Sequence, residues 1–189
     1  MTNEKEQKSR VAASLDELAH AVNQASLCFD VWWVCAGEGR EQYLRAINKF
    51  PTFFSTSIHA HFVAFLVALY RLFETRRDTL NVGRVVTLLK EDQAITDHQL
   101  SKLEALLTQA RPLWRKITIV RSDVFAHQKE NATIEQSFKK AKLTPNEVRH
   151  LIDLSKAIVN CLYDSFNCAY AFNLSAEAET RALLEAFGR

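Results

Sequence analysis

A chain of 189 residues, 48% hydrophobic and 24% charged, is long enough to bury a substantial core in one domain spanning 1–189, with the composition of a soluble globular protein. Four glycines and three prolines provide few turns for an all-β fold and no flexible linker. The net charge of +2 is unevenly spread: nine Lys or Arg but only four Asp or Glu lie between Arg111 and Arg149. Such a stretch suits an anionic ligand such as nucleic acid, and equally the solvated faces of ordinary helices.

The first helix is expected to start near Ser9 or Ser14 and to stop at Gly37 or Gly39. Leu15, Leu18, Val22, Ala25 and Phe29 keep a helical spacing, and Trp32 and Trp33 continue it as core and interface aromatics. A short helix follows from Arg40 to Lys49. Pro51 fits the first turn of the next helix, expected to run to about Arg77. Phe50 to Tyr70 carries no Asp, Glu, Lys or Arg over 21 residues, long enough to cross a membrane. Its serines, threonines and two histidines favour instead a central bundle helix buried on most sides. His59 and His61 fall on opposite sides of that helix, so joint metal ligation is not expected. Arg71 and Glu74 have the spacing of a structural ion pair, or of residues that back a candidate site from behind.

Asn81-Val82-Gly83 reads as a connection to a short helix from Arg84 to Glu91. Asp97 is the expected N-cap of a helix carrying Leu100, Leu103, Leu106 and Leu107. Pro112 removes a backbone donor inside that pattern, which predicts a kink or break near Thr108. The helix resumes through Trp114, Ile117, Ile119 and Val120. Gln128 to Lys142 is polar and weakly periodic and reads as a loop. Thr144-Pro145-Asn146-Glu147 combines a capping box with Pro at the first helical position, and a long apolar face follows to Phe166. Ser175 is expected to cap a last helix ending near Phe187. The sum is an all-α, up-and-down bundle of about five to seven helices.

The cysteines Cys28, Cys35, Cys161 and Cys168 form two pairs seven apart. Seven residues of helix span roughly 10 Å, too far for one tetrahedral zinc. They read as small buried hydrophobes, and no metal site is expected. The polar, charged segment Met1 to Arg10 has no signal-peptide core, which makes a cytoplasmic location the default.

Chemical content concentrates in Arg121-Ser122-Asp123-Val124-Phe125-Ala126-His127. It offers a guanidinium able to hold a phosphate and an imidazole able to move a proton near neutral pH. Six residues place Arg121 and His127 roughly 120° apart on a straight helix. They share a target only if the helix ends or distorts, or if a two-fold dimer brings them together. Asp123 and His127, four apart, share a face. A plainer reading is an Asp–His contact at a helix end with Arg121 facing solvent.

An arginine, a gap of four to six residues and a histidine late in a helical bundle resembles the HEPN superfamily. Leu69-Tyr70-Arg71-Leu72-Phe73-Glu74, Trp114 ahead of the motif and the Phe125-Ala126-His127 ending are similar to its abortive-infection, Abi-U-like branch. The resemblance covers roughly Phe50 to Phe172. It implies a HEPN-like fold and a metal-independent RNA endonuclease, needing no cofactor, that acts as a toxin or phage-defence effector. It also implies a homodimer with two motifs facing each other, RNA or a nucleotide as ligand, and an antitoxin protein as a candidate partner. Arg121 and His127 match the two named motif positions: the imidazole as general base or acid, the guanidinium stabilising charge at phosphorus. Asp123 as an orienting group for His127 is an inference from spacing and not part of the motif. Ser122, Arg115, Lys116 and Lys129 are the expected substrate contacts.

Two departures stand out. Ser122 occupies a position that is often Asn, Asp or His in active members. Lys129 stands where some toxin members carry a tyrosine modified by a nucleotidyltransferase antitoxin, so regulation by that route is not expected. The alternative is a catalytically inactive HEPN-like module binding nucleotide, RNA or a protein, or a purely structural helical adaptor.

Overall fold

The computed structural model describes residues 2–37, 39–76, 78–126 and 134–188, apart from the side chains of residues 2–9, 125 and 126. Among them are eight α-helices, two single 3-10 turns and no strand: α1 (Thr2–Ala36), α2 (Leu44–Lys49), α3 (Pro51–Phe73), α4 (Val82–Glu91), α5 (Asp97–Ala126), α6 (Ile134–Ala141), α7 (Pro145–Tyr163) and α8 (Glu177–Gly188). The fold is an all-α bundle built on α1, α3, α5 and α7. Helix α1 buries Val11, Leu15, Leu18, Ala19, Val22, Ala25, Phe29 and Trp32, one stripe at three- and four-residue spacing. This stripe packs most extensively on α3 and also meets α7, while α5 bridges α3 and α7.

An aromatic knot fills the centre. Trp32 lies 5.5 Å from Phe65 and 6.0 Å from both Phe62 and Phe138, ring centroid to centroid. Burial of each such side chain contributes about 2–3 kcal/mol. A smaller core joins Val34, Cys35, Tyr43, Ala46 and Phe54 to Leu184 of α8. Just past the end of α1 the Trp33 indole folds over Gly37, where a Cβ would come within 2.2 Å of the ring, so only glycine fits. Gly39, at φ 85°, then turns the chain through the left-handed region.

Local chemistry sets the other helix starts. The Asn81 side chain accepts from the Arg84 N–H at 2.9 Å and caps α4. Thr144 and Glu147 form the expected capping box with Pro145 at the first position. Ser175 accepts from the Glu177 N–H at 3.3 Å, while the buried Asp30 carboxylate of α1 takes the Ser175 hydroxyl and the Ala176 N–H at 2.8 and 3.1 Å. The cap of α8 is thus shared across the bundle.

Several expectations need correction. Helix α1 begins at Thr2, not at Ser9 or Ser14, and α3 stops at Phe73. Helix α5 is capped by Thr96, whose N–H and hydroxyl meet Gln99 Oε1 at 2.9 and 3.0 Å, not by Asp97. It also runs unbroken through Pro112. Pro112 is exposed while Ala110, Leu113 and Ile117 are buried, so packing on one side overrides the lost donor on the other. The segment expected to be a loop contains α6, whose Ile134, Phe138 and Ala141 face the core. That helix is the eighth. Helix α3 is long and apolar enough to cross a membrane, yet it is not buried on most sides. Its buried stripe is Phe54, Phe62, Phe65, Leu66, Leu69 and Leu72, and its outer face helps line a groove of about 530 Å3 beside α1. Cys28, Cys35 and Cys161 are at least half-buried, but Cys168 is exposed. Arg71 is exposed and Glu74 buried, and the two form no ion pair.

Candidate functional site

Helix α5 carries the candidate site on its last two turns, and three contacts fix how its C-terminal half sits on the bundle. Trp114 and Arg121 are seven residues apart, two turns of helix, and so lie on one face. Between them Tyr70 of α3 is clasped. The Trp114 indole stacks on the Tyr70 ring at 6.2 Å with 28° between planes, and its Nε1–H donates to the Tyr70 carbonyl at 3.2 Å. The Arg121 guanidinium carbon stands 4.6 Å above the centroid of the same ring, within cation–π range. Arg121 is half-buried. The plainer expectation, an arginine simply facing solvent, does not describe it.

Asp123, two residues on and roughly 200° further round the helix, points toward α6. Its Oδ1 accepts from Lys140 Nζ at 2.5 Å, with the Asp123 side chain 15% and the Lys140 side chain 63% exposed. An ion pair with one exposed partner contributes about 0–1 kcal/mol, but it ties the end of α5 to α6. Ser122 is half-buried between these two residues. His127 and Lys129 lie outside the described residues, so the described part of the motif is Arg121, Ser122 and Asp123 with the backbone up to Ala126.

The two basic residues earlier on α5 part company. Lys116 turns toward the start of α7: its Nζ donates to Glu147 Oε1 and to the Lys142 carbonyl, both at 2.6 Å. Burial pushes the Glu147 carboxyl up, but the Lys116 ammonium and the Thr144 N–H and hydroxyl outweigh it and hold the group below its ordinary value. Lys116 is therefore committed to the α5–α6–α7 junction. Arg115 is exposed and lines a cleft of about 700 Å3 between the start of α4 and α5, together with Arg76, Arg84, Arg111, Trp114 and Glu74.

Other titratable clusters are sparse. No group of three or more His, Cys, Asp or Glu side chains among the described residues is placed to hold a metal ion. His61 Nδ1 lies 2.7 Å from the Ser57 carbonyl, one turn back on its own helix, whereas His59 is exposed. Cys28 and Cys35 have thiols pushed up by burial, away from nucleophilic character.

Tyr70 and Lys140 are site neighbours that sequence spacing did not reveal as such. The seven-residue interval between Trp114 and Arg121 was the available signal, pointing to a shared partner on another helix. No curated protein and no solved structure matches the chain. The family model HEPN_AbiU2, described as AbiU2, matches residues 8–182, from the first turns of α1 into α8 and across the whole Arg121 region. By that match the chain belongs to the AbiU2 family of HEPN proteins.

Proposed function

We propose that the chain is a metal-independent endoribonuclease of HEPN type acting in a toxin or phage-defence setting in the cytoplasm. Membership of an abortive-infection-related HEPN family supports this reading. The observation that carries it is Arg121, held over Tyr70 near the C-terminal end of α5, six residues before His127. In the proposed reaction the ribose 2′-oxygen attacks the adjacent phosphorus and the 5′-oxygen of the next nucleotide leaves. The products carry a 2′,3′-cyclic phosphate and a 5′-OH. His127 takes the 2′-OH proton or returns one to the leaving oxygen, and Arg121 stabilises the charge that builds on the phosphoryl oxygens. Asp123 orients His127 while its own carboxylate is anchored by Lys140. A homodimer presenting two such motifs to one groove supplies a second imidazole, so that base and acid need not be one group.

The test is digestion of a mixed-sequence RNA in excess EDTA by the wild type, Arg121→Ala and His127→Ala. The wild type is expected to cleave and each variant to lose at least about 100-fold, the usual contribution of a positioned acid–base group. Equal cleavage by all three would overturn the assignment. A second reading, an inactive HEPN module that binds RNA or nucleotide, is favoured by Ser122, whose hydroxyl supplies neither charge nor amide geometry. RNA binding without any cleavage product would establish it instead.

A further inference from the structure

The cleft between the start of α4 and α5 has no part in the chemistry proposed for Arg121 and His127, yet it concentrates four guanidinium groups. Arg111 and Arg115 project from α5 one turn apart, while Arg76 and Arg84 come from the connection before α4 and from α4 itself. Glu74, buried beneath them, is the one carboxylate among the lining residues. Arg76 is clamped by Asp78 through bonds of 3.1 and 2.7 Å, and Arg111 meets Glu104 at 3.3 Å. Arg84 and Arg115 are exposed, and among the described residues neither has a carboxylate partner.

We propose that this cleft holds the phosphate backbone of the RNA beside the segment being cut, with Arg84 and Arg115 as its two principal phosphate contacts. The proposal rests on the RNA-cleaving reading of Arg121 and extends it to the path of the substrate. Three features favour a polymer backbone over a single nucleotide. The arginines come from three separate places in the chain, the connection before α4, α4 itself and α5, and not from one loop. Among the described residues no glycine-rich turn presents a nest of backbone N–H groups to a polyphosphate. Arg115 lies six residues before Arg121, about 9 Å along the helix axis and roughly 120° round it, and Trp114, which lines the cleft, also touches the Tyr70 ring that carries Arg121. Trp114 therefore joins the cleft to the candidate site. Like charges on low-dielectric walls focus a positive potential there, and a guanidinium meets a phosphate through two parallel N–H bonds.

Binding is measured with a fluorescent 2′-O-methyl oligoribonucleotide, which lacks the attacking hydroxyl, so that affinity is read without cleavage. Arg84→Ala/Arg115→Ala is compared with Lys49→Ala/Lys90→Ala, which removes the same charge at exposed positions away from the cleft. Thermal melts establish that both variants fold. The arginine pair should weaken binding at least about tenfold and flatten the slope of log K against log salt by about 1.4, the value for two single-strand phosphate contacts. The lysine pair should change little. Equal effects of the two pairs, no effect of either, or an oligonucleotide displaced completely by equimolar ATP would overturn the proposal. Loss of binding in the arginine pair with a wild type that never cuts RNA would keep the cleft and refute the nuclease; wild-type cleavage unaffected by the arginine pair would do the reverse.

Discussion

Replacing Tyr70 by leucine removes the ring on which Arg121 rests while leaving the Trp114 indole bond, which goes to the Tyr70 carbonyl, chemically available. The cation–π contact of a half-buried arginine contributes about 1 kcal/mol. The stacked Tyr70–Trp114 pair contributes about another 1 kcal/mol. Tyr70→Leu is therefore expected to lower unfolding stability by about 2 kcal/mol in urea titration, with an unchanged m-value. Tyr70→Phe keeps both ring contacts and should stay within about 0.5 kcal/mol of the wild type. Cleavage should follow the same split. An unseated guanidinium no longer meets the phosphoryl oxygens in the transition state, and a loss of about 1.4 kcal/mol there is tenfold in kcat. The KM should change less than kcat if, as proposed, Arg121 acts on charge that develops during the reaction. Equal losses for the Phe and Leu variants would refute the argument from the ring. So would a Leu variant that is destabilised but cleaves at the wild-type rate.

The remaining predictions concern the frame around that site. Thr144→Ala removes one half of the α7 capping box and should cost about 1 kcal/mol in the same titration. Glu147 has its carboxyl held below the ordinary value of 4.5, so its contribution is fully present above that value and is lost as pH falls through the lower folded one. Glu147→Gln should accordingly flatten part of the acid-side loss of stability in melts across that range. Phe138→Ala strips the ring packed on Trp32 and Phe62. It should cost about 2–3 kcal/mol and raise amide hydrogen exchange across residues 134–143 before the rest of the bundle. Pro112→Ala restores a donor on the exposed side of α5 and should raise stability by about 1–2 kcal/mol, read as a higher Tm.

Where residues announce a helix boundary by local chemistry, the sequence was readable. Pro51 and the Thr144–Glu147 box act within four residues of themselves, and both boundaries fall at their expected places, whereas Asn81, read as part of a connection, caps an α4 that starts two residues before its expected place. The apolar stripe of α1 was equally plain, because its spacing leaves no competing period. Helix α6 was hidden because only Ile134, Phe138 and Ala141 report its face, and Lys139, Lys140 and Lys142 give the segment the look of a solvated loop. Pro112 misled because its cost depends on which side of the helix it occupies, which only packing reveals. The outer face of α3 misled for the opposite reason: apolar content predicts burial, but α1 and α5 cover one stripe of it. At the site, family resemblance led to Arg121, whereas its seat on Tyr70 joins residues 51 apart and leaves no local pattern. Lys116 and Arg115, adjacent and alike in charge, were indistinguishable until one met Glu147 and the other the cleft.

The most direct measurement is mass spectrometry of the ends left on a defined oligoribonucleotide after digestion in EDTA. Attack by the 2′-oxygen, with Arg121 and His127 acting on one phosphodiester, predicts 2′,3′-cyclic phosphate and 5′-hydroxyl termini, both lost in Arg121→Ala. Fragments ending in 5′-phosphate, or the same cyclic ends at an undiminished rate in Arg121→Ala, would contradict it.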